Sequence, residues 1–132
     1  MRSEDPGVAV RSATPSEYVT VRSIIEGALL EVDEGSLRRS AVLVAVDDGR
    51  ILGGLVLSGL EVEAVAVRPG RRGQGIGTAL VGEAAARRPV LTAGFEPDVR
   101  AFYESLGFAV ECDGHRCRGR RDPRRMRRRR RG

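Results

Sequence analysis

Residues 65–80 read Val65-Ala66-Val67-Arg68-Pro69-Gly70-Arg71-Arg72-Gly73-Gln74-Gly75-Ile76-Gly77-Thr78-Ala79-Leu80. An apolar, strand-like run ends at Val67, and a loop rich in glycine and arginine follows. Ile76, Ala79, Leu80 and Ala84 then recur at helical spacing. A helix that starts directly after such a loop aims unpaired backbone N–H groups and the positive end of its dipole at one point. That is an anion site suited to a phosphate group. Gly73, Gly75 and Gly77 remove side chains where a ligand must approach the backbone, and Arg71 and Arg72 add positive charge. Two familiar phosphate motifs fail here. No Gly-Lys-Ser/Thr is present, and the dinucleotide fingerprint needs a third glycine where Thr78 or Leu80 stands.

Upstream, Val8-Ala9-Val10 reads as a short strand. Thr14-Pro15-Ser16-Glu17 carries the marks of a helix start: a capping residue, proline at the first helical position and a glutamate able to reach back. Tyr18, Val21, Ile25, Ala28 and Val32 follow at helical spacing, and residues 33–40 allow a short second helix. Strands are expected over Ala41–Val46, Ile51–Leu57 and Leu60–Val67, with turns at Asp47-Asp48-Gly49 and Ser58-Gly59, as an antiparallel meander. Downstream, a helix over Gly75–Arg87 leads to a strand at Val90–Thr92, which a β-α-β crossover places parallel to the third meander strand. A helix over Pro97–Leu106 with Val99, Phe102 and Leu106 inward ends at Gly107. Asp113-Gly114 reads as the turn of a final hairpin. The fold class is α/β in the α+β sense: a mixed sheet with a meander, a β-α-β unit and a C-terminal hairpin.

Arg72-x-x-Gly75-x-Gly77 resembles the Gln/Arg-x-x-Gly-x-Gly/Ala motif of the GNAT family of N-acetyltransferases. Val65-Ala66-Val67-Arg68-Pro69 resembles that family's strand before the loop, and Phe102-Tyr103-Glu104-Ser105-Leu106-Gly107-Phe108 its Phe-Tyr-x-x-x-Gly-Phe segment. The resemblance runs over roughly residues 8–120. It implies transfer of an acetyl group from acetyl-CoA, the co-substrate, to a primary amine by direct attack in a ternary complex. The pyrophosphate would lie on Arg72, Gly73, Gln74, Gly75, Ile76, Gly77 and Thr78. The pantetheine arm would run along Val65, Ala66 and Val67 between parted strands, with the N–H groups of Val65 and Val67 pairing with the arm or holding the thioester carbonyl. One departure weakens analogies for the acceptor. Glu96 and Val99 stand where many members have the Asn and Ala of Asn-x-x-Ala.

Acyl transfer to an amine needs a base, fixed donors for the oxyanion and an acid for the leaving thiolate. Tyr103, one position from Phe102, is the candidate acid, against the plainer reading of a half-buried packing tyrosine. Glu61 matches the position of a base in some members, and Glu63 shares its strand face. Both also fit as solvent-facing strand acids, with water taking the proton. The acceptor pocket is expected chiefly from residues 25–40 and a Gly94–Asp98 loop. The acceptor, a small molecule or a protein amine, is not legible.

The formal charge of +5 is unevenly spread. Residues 1–115 hold 12 arginines and 17 acids, while residues 116–132 hold 11 arginines and one acid, and lysine is absent. The basic balance therefore belongs to the tail. A domain over 1–120 followed by a disordered Arg-rich tail over 121–132 is expected. The tail allows weak, salt-sensitive electrostatic contact with nucleic acid, without aromatic residues for base stacking. A nucleic-acid-associated protein and a non-catalytic acyl-CoA sensor are the competing readings, and Tyr103 speaks against the sensor. Cys112, His115 and Cys117 fall short of the four ligands of a structural zinc, so no metal is expected. With Asp113-Gly114 as the turn, Cys112 faces His115, and the cysteines are diagonal neighbours roughly 7–8 Å apart, too far for an unstrained disulfide. No apolar run approaches the ~20 residues of a membrane span, and no secretory signal is legible at Met1-Arg2-Ser3-Glu4-Asp5. Cytoplasmic location without membrane partners is the expectation, with oligomeric state open.

Overall fold

The computed structural model describes residues 8–124. Strand β1 (Val8–Ser12) leads through a 3-10 turn into α1 (Tyr18–Gly27) and the short α2 (Glu34–Arg39). Strands β2 (Ala41–Asp47), β3 (Arg50–Ser58) and β4 (Glu61–Val67) form the meander. Helix α3 (Ile76–Arg87) then carries the chain to β5 (Leu91–Phe95), and α4 (Arg100–Ser105) to the hairpin β6 (Ala109–Asp113) and β7 (Arg116–Arg121). The strands make one seven-stranded sheet in the order β1-β2-β3-β4-β5-β7-β6. Every neighbouring pair is antiparallel except β4 and β5.

The start of α1 follows from its sequence. The Glu17 carboxylate accepts from the Thr14 N–H at 2.9 Å, the reciprocal half of a capping box, and also from both Arg11 Nη atoms at 2.9 Å. The Arg11 hydrogen bonds first, and the Thr14 N–H second, hold the Glu17 pKa down to about 2. Val21 and Ile25, one helical turn apart, drop into the core against Val42, Val44 and Val56. Gly54 on β3 lets α1 sit close, because a Cβ there would stand 2.9 Å from Val21 Cγ1. The opposite face of the sheet packs Leu43, Leu55 and Leu91 against Ile76 and Leu80 of α3 and against Tyr103 of α4. Burying these aliphatic and aromatic side chains on both faces is the main favourable term, about 1.5–3 kcal/mol for each large one.

Three local expectations are corrected. Val99 is 38% exposed rather than inward, because the chain there is a 3-10 turn and α4 begins only at Arg100. Strand β5 extends to Phe95, so Gly94 belongs to the sheet and not to a loop. The hairpin turn lies one residue further along, which moves each cross-strand partner by two: Cys112 pairs with Cys117 rather than His115, and Asp113 with Arg116, around a Gly114-His115 turn. The two cysteines form a disulfide, with Cα atoms 3.9 Å apart. The cause lies in the turn and the core. A type I′ Asp-Gly turn needs positive φ at both residues, whereas only Gly114, at +66°, has it. The observed register also buries Gly119, where a Cβ would lie 3.2 Å from both Phe95 and Phe108.

Strand β7 runs to Arg121, and the next residue, Asp122, is buried, its Oδ1 accepting from the Arg124 N–H at 3.2 Å. Residues 125–132 of the expected tail lie outside the described residues. Among the described residues no helix is long and apolar enough to cross a membrane.

Candidate active site

The loop after β4 is held open by its own backbone. Arg71 N–H donates to Arg68 O at 2.9 Å, which closes one tight turn. Gly73 (φ +79°) and Gly75 (φ +83°) then reverse the chain through the left-handed region that disfavours side chains, and Gly75 is the N-cap of α3. The first bond into the helix is Ala79 N–H to Gly75 O at 3.0 Å. Among the described residues, no backbone carbonyl outside the helix receives the N–H groups from Gly73 to Thr78. They form a run of free donors at the positive end of a 12-residue helix. Gly77 serves packing: a Cβ there would be 3.4 Å from the Phe102 ring. Arg71 is committed to Gln74 Oε1 at 2.8 Å and reaches Asp47 at 3.5 Å. Arg72 has no carboxylate within 4 Å among the described residues and donates from Nε to Val67 O at 3.0 Å.

Beside this loop the sheet opens. β4 and β5 are paired only at Glu61 with Thr92 and Val62 with Ala93, and Thr92 N–H donates to Leu60 O at 2.8 Å. Beyond Val62 the strands part. Arg68 N–H donates to Leu52 O on β3 at 2.8 Å. By the alternation of an antiparallel ladder, Ala66 faces β3 as well, while Val65 and Val67 turn their N–H and C=O groups into the gap. The Arg72 bond to Val67 O confirms that direction. The loop, the gap and the free strand amides therefore form one continuous donor-lined cleft.

Tyr103 sits on the β5 side of the cleft, with 5% of its surface exposed. Its ring stacks on Phe95 at 4.2 Å with a 9° interplanar angle, and Phe102 and Phe108 meet it edge-on at 5.1 Å each. Burial pushes its pKa up to about 12, so the hydroxyl keeps its proton at neutral pH. That hydroxyl has no hydrogen-bond acceptor among the described residues, an uncommon condition for a buried donor. The pair Phe102 and Tyr103 is inverted relative to expectation: Tyr103 is the buried ring and Phe102 the half-buried one.

The two strand acids are separated by a feature the sequence reading missed. Leu57 pairs with Val62 but Val56 with Ala64, so Glu63 is the extra residue of a β-bulge. The only sequence signal is that the alternation of Glu61-Val62-Glu63 gives way to an unbroken apolar run, Ala64 to Val67. Val62 packs into the α3-side core, whereas Ala64 and Ala66 pack into the α1-side core. Glu61 is exposed at the closed end of the gap, on the face away from Tyr103, and the structure does not bring those two together. Glu63 lies just past the last paired residue and accepts from Ser36 Oγ at 3.0 Å. It borders a groove of about 470 Å³ lined by Arg22 together with Glu26, Glu31, Val32, Asp33 and Ser36, the last five of which fall in the expected 25–40 segment.

A strand-loop-helix anion cradle beside a parted pair of parallel strands is the architecture of an acyl-CoA N-acyltransferase fold. A family model described as an acetyltransferase (GNAT) domain matches residues 38–110, and the chain belongs to the GNAT acetyltransferase family. Solved structures agree in fold. A GCN5-related N-acetyltransferase from Rhodopseudomonas palustris is 18% identical, with 88% of this chain and 96% of that one covered and a TM-score of 0.71. Ard1 from Thermoplasma volcanium gives 17% identity, 87% and 97% coverage and a TM-score of 0.71. A GNAT family acetyltransferase from Elizabethkingia anophelis, solved with acetyl-CoA bound, gives 15%, 88% and 98%, and 0.67. No curated protein sequence matches the chain.

Proposed function

We propose that this protein is an N-acetyltransferase that uses acetyl-CoA and acetylates a primary amine by direct attack in a ternary complex. The observation that carries the reading is the continuity of the cleft, from the free amides of residues 73–78 to the outward N–H groups of Val65 and Val67. The amides and the exposed Arg72 suit the pyrophosphate of acetyl-CoA, with Gly73, Gln74, Gly75, Ile76, Gly77 and Thr78 supplying the cradle. The gap beyond Val62 suits the pantetheine arm, and the Val65 and Val67 N–H groups suit its amides or the thioester carbonyl. Two structural neighbours, from Elizabethkingia anophelis and Salmonella typhimurium, are described as holding acetyl-CoA.

The amine nitrogen attacks the thioester carbonyl carbon, a C–N bond forms, and the C–S bond breaks. Tyr103, kept neutral by burial, gives its proton to the departing thiolate. The proton from the amine leaves through water toward Glu61 and Glu63, which bracket the point where the strands part. The test is release of free CoA from acetyl-CoA in the presence of a panel of primary amines. Release that depends on an amine supports the reading. Tight acetyl-CoA binding without release from any amine would replace it with a sensor module.

A further inference from the structure

Among the described residues, nothing covers half of one sheet face. On the side where α1 packs against β3 and β4, strands β5, β7 and β6 present Thr92, Gly94, Arg116, Arg118, Arg120 and Glu111, none of them buried. The alternate residues Leu91, Ala93, Phe95 and Cys117 are buried on the other face. Arg116 holds a particular place on the open face. A Cβ built on Gly94 would stand 3.0 Å from Arg116 Nη2, so the guanidinium lies over β5. It has turned toward the gap and away from Asp113, its cross-strand neighbour on the edge strand. Gly94 has no positive φ that would require glycine, so what its missing side chain permits is this approach. Among the described residues no carboxylate lies within 4 Å of Arg116 or Arg118.

The register locates this cation relative to the transfer point. Glu61 faces Thr92 and Val62 faces Ala93, so continued pairing would set residue 63 opposite Gly94. The strands have parted there, leaving the Glu63 bulge on one lip of the gap and the Arg116 guanidinium over the other. An unpaired guanidinium presents a planar fork that matches a carboxylate. Resting on the N-acetyltransferase reading, we infer that the acceptor is an amine that also bears a carboxylate, of the amino-acid class. Its carboxylate sits on Arg116, and its amine is turned toward Glu63 and the thioester.

The experiment measures kcat/KM by CoA release for matched acceptors with and without the carboxylate: L-phenylalanine against phenethylamine, and L-lysine against cadaverine. The wild-type protein should favour the carboxylate-bearing member of at least one pair by about ten- to hundredfold, the span of a charged hydrogen-bonded contact. Arg116→Met should erase that preference through KM, and Arg116→Lys should restore part of it. Gly94→Ala, which displaces the guanidinium without removing its charge, should weaken the preference. Equal rates within both pairs, or a preference that survives Arg116→Met, would overturn the inference while leaving the transferase reading intact. Acetyl-CoA binding with no CoA release from any probe would overturn both.

Discussion

Tyr103 lies flat on Phe95, ring centroids 4.2 Å apart and planes within 9°. This stack joins α4 to the free end of β5, the strand that forms one wall of the cleft. The stack engages the ring, while the hydroxyl has no hydrogen-bond acceptor among the described residues.

Tyr103→Phe keeps the stack and removes the proton. Turnover should fall by about 10²–10⁴-fold, with acetyl-CoA affinity and melting temperature nearly unchanged. Stability should also carry the signature of the raised pKa of about 12. The unfolded tyrosine ionises near pH ~10, so this stabilisation is full below that pH and is lost as pH rises toward 12. A Phe variant as fast as the parent would assign Tyr103 to packing alone.

Glu63→Gln and Glu61→Gln distinguish the two acids. Glu63 borders the open part of the gap and Glu61 its closed end, so the Glu63 variant should lose more turnover near neutral pH. The expected loss is on the order of tenfold or more, at the low end of general base catalysis because water carries the proton. Steady-state rates from pH 6 to 9 give the comparison. A larger loss for Glu61→Gln would return the base to the position that the motif spacing indicates.

The Cys112–Cys117 disulfide closes a loop of only six residues. Loop-closure entropy then contributes about 2 kcal/mol, enough to move the melting temperature by several degrees. Melting curves with and without reductant, together with alkylation mass spectrometry, measure it. Two free thiols in the untreated protein, or an unchanged melting temperature after reduction, would contradict the assignment.

Glu17 gives an acid-side test. Its carboxylate is held at about 2 by Arg11 and the Thr14 N–H, below its unfolded value. The resulting stabilisation is present above the ordinary carboxylate range and is lost as pH falls toward 2. The pair is solvent-accessible, so the effect is small. Chemical denaturation at pH 7 and pH 2.5 should show Glu17→Gln weaker than wild type at pH 7, with the difference much reduced at the acid end. A difference independent of pH would remove the ion pair as its cause.

Much of this molecule was legible because its signals are local. The capping sequence Thr14–Glu17, the Asp48-Gly49 turn and the Gly73–Gly77 loop each fix backbone geometry within a few residues. Element order followed from them, whereas the parted strands were implied by the resemblance to the GNAT family. What escaped depends on pairing across the sheet. The bulge at Glu63 exists because β3 and β4 change register at Val56/Leu57, and the shifted hairpin follows from Gly119 packing under Phe95 and Phe108. Arg116 over Gly94 joins residues on different strands, which no motif spacing reports.

The Gly73–Thr78 cradle is tested by calorimetric titration of acetyl-CoA into the wild-type protein and Gly75→Glu, both shown folded by circular dichroism. At Gly75 a glutamate must adopt φ near +83° and brings negative charge to the donor cluster, while no neighbouring atom within 4 Å crowds its Cβ. Saturable one-to-one binding to the wild type and none to Gly75→Glu is the expected result. Undiminished binding to a folded Gly75→Glu, or no binding to the wild type, would contradict the placement of acetyl-CoA on this loop.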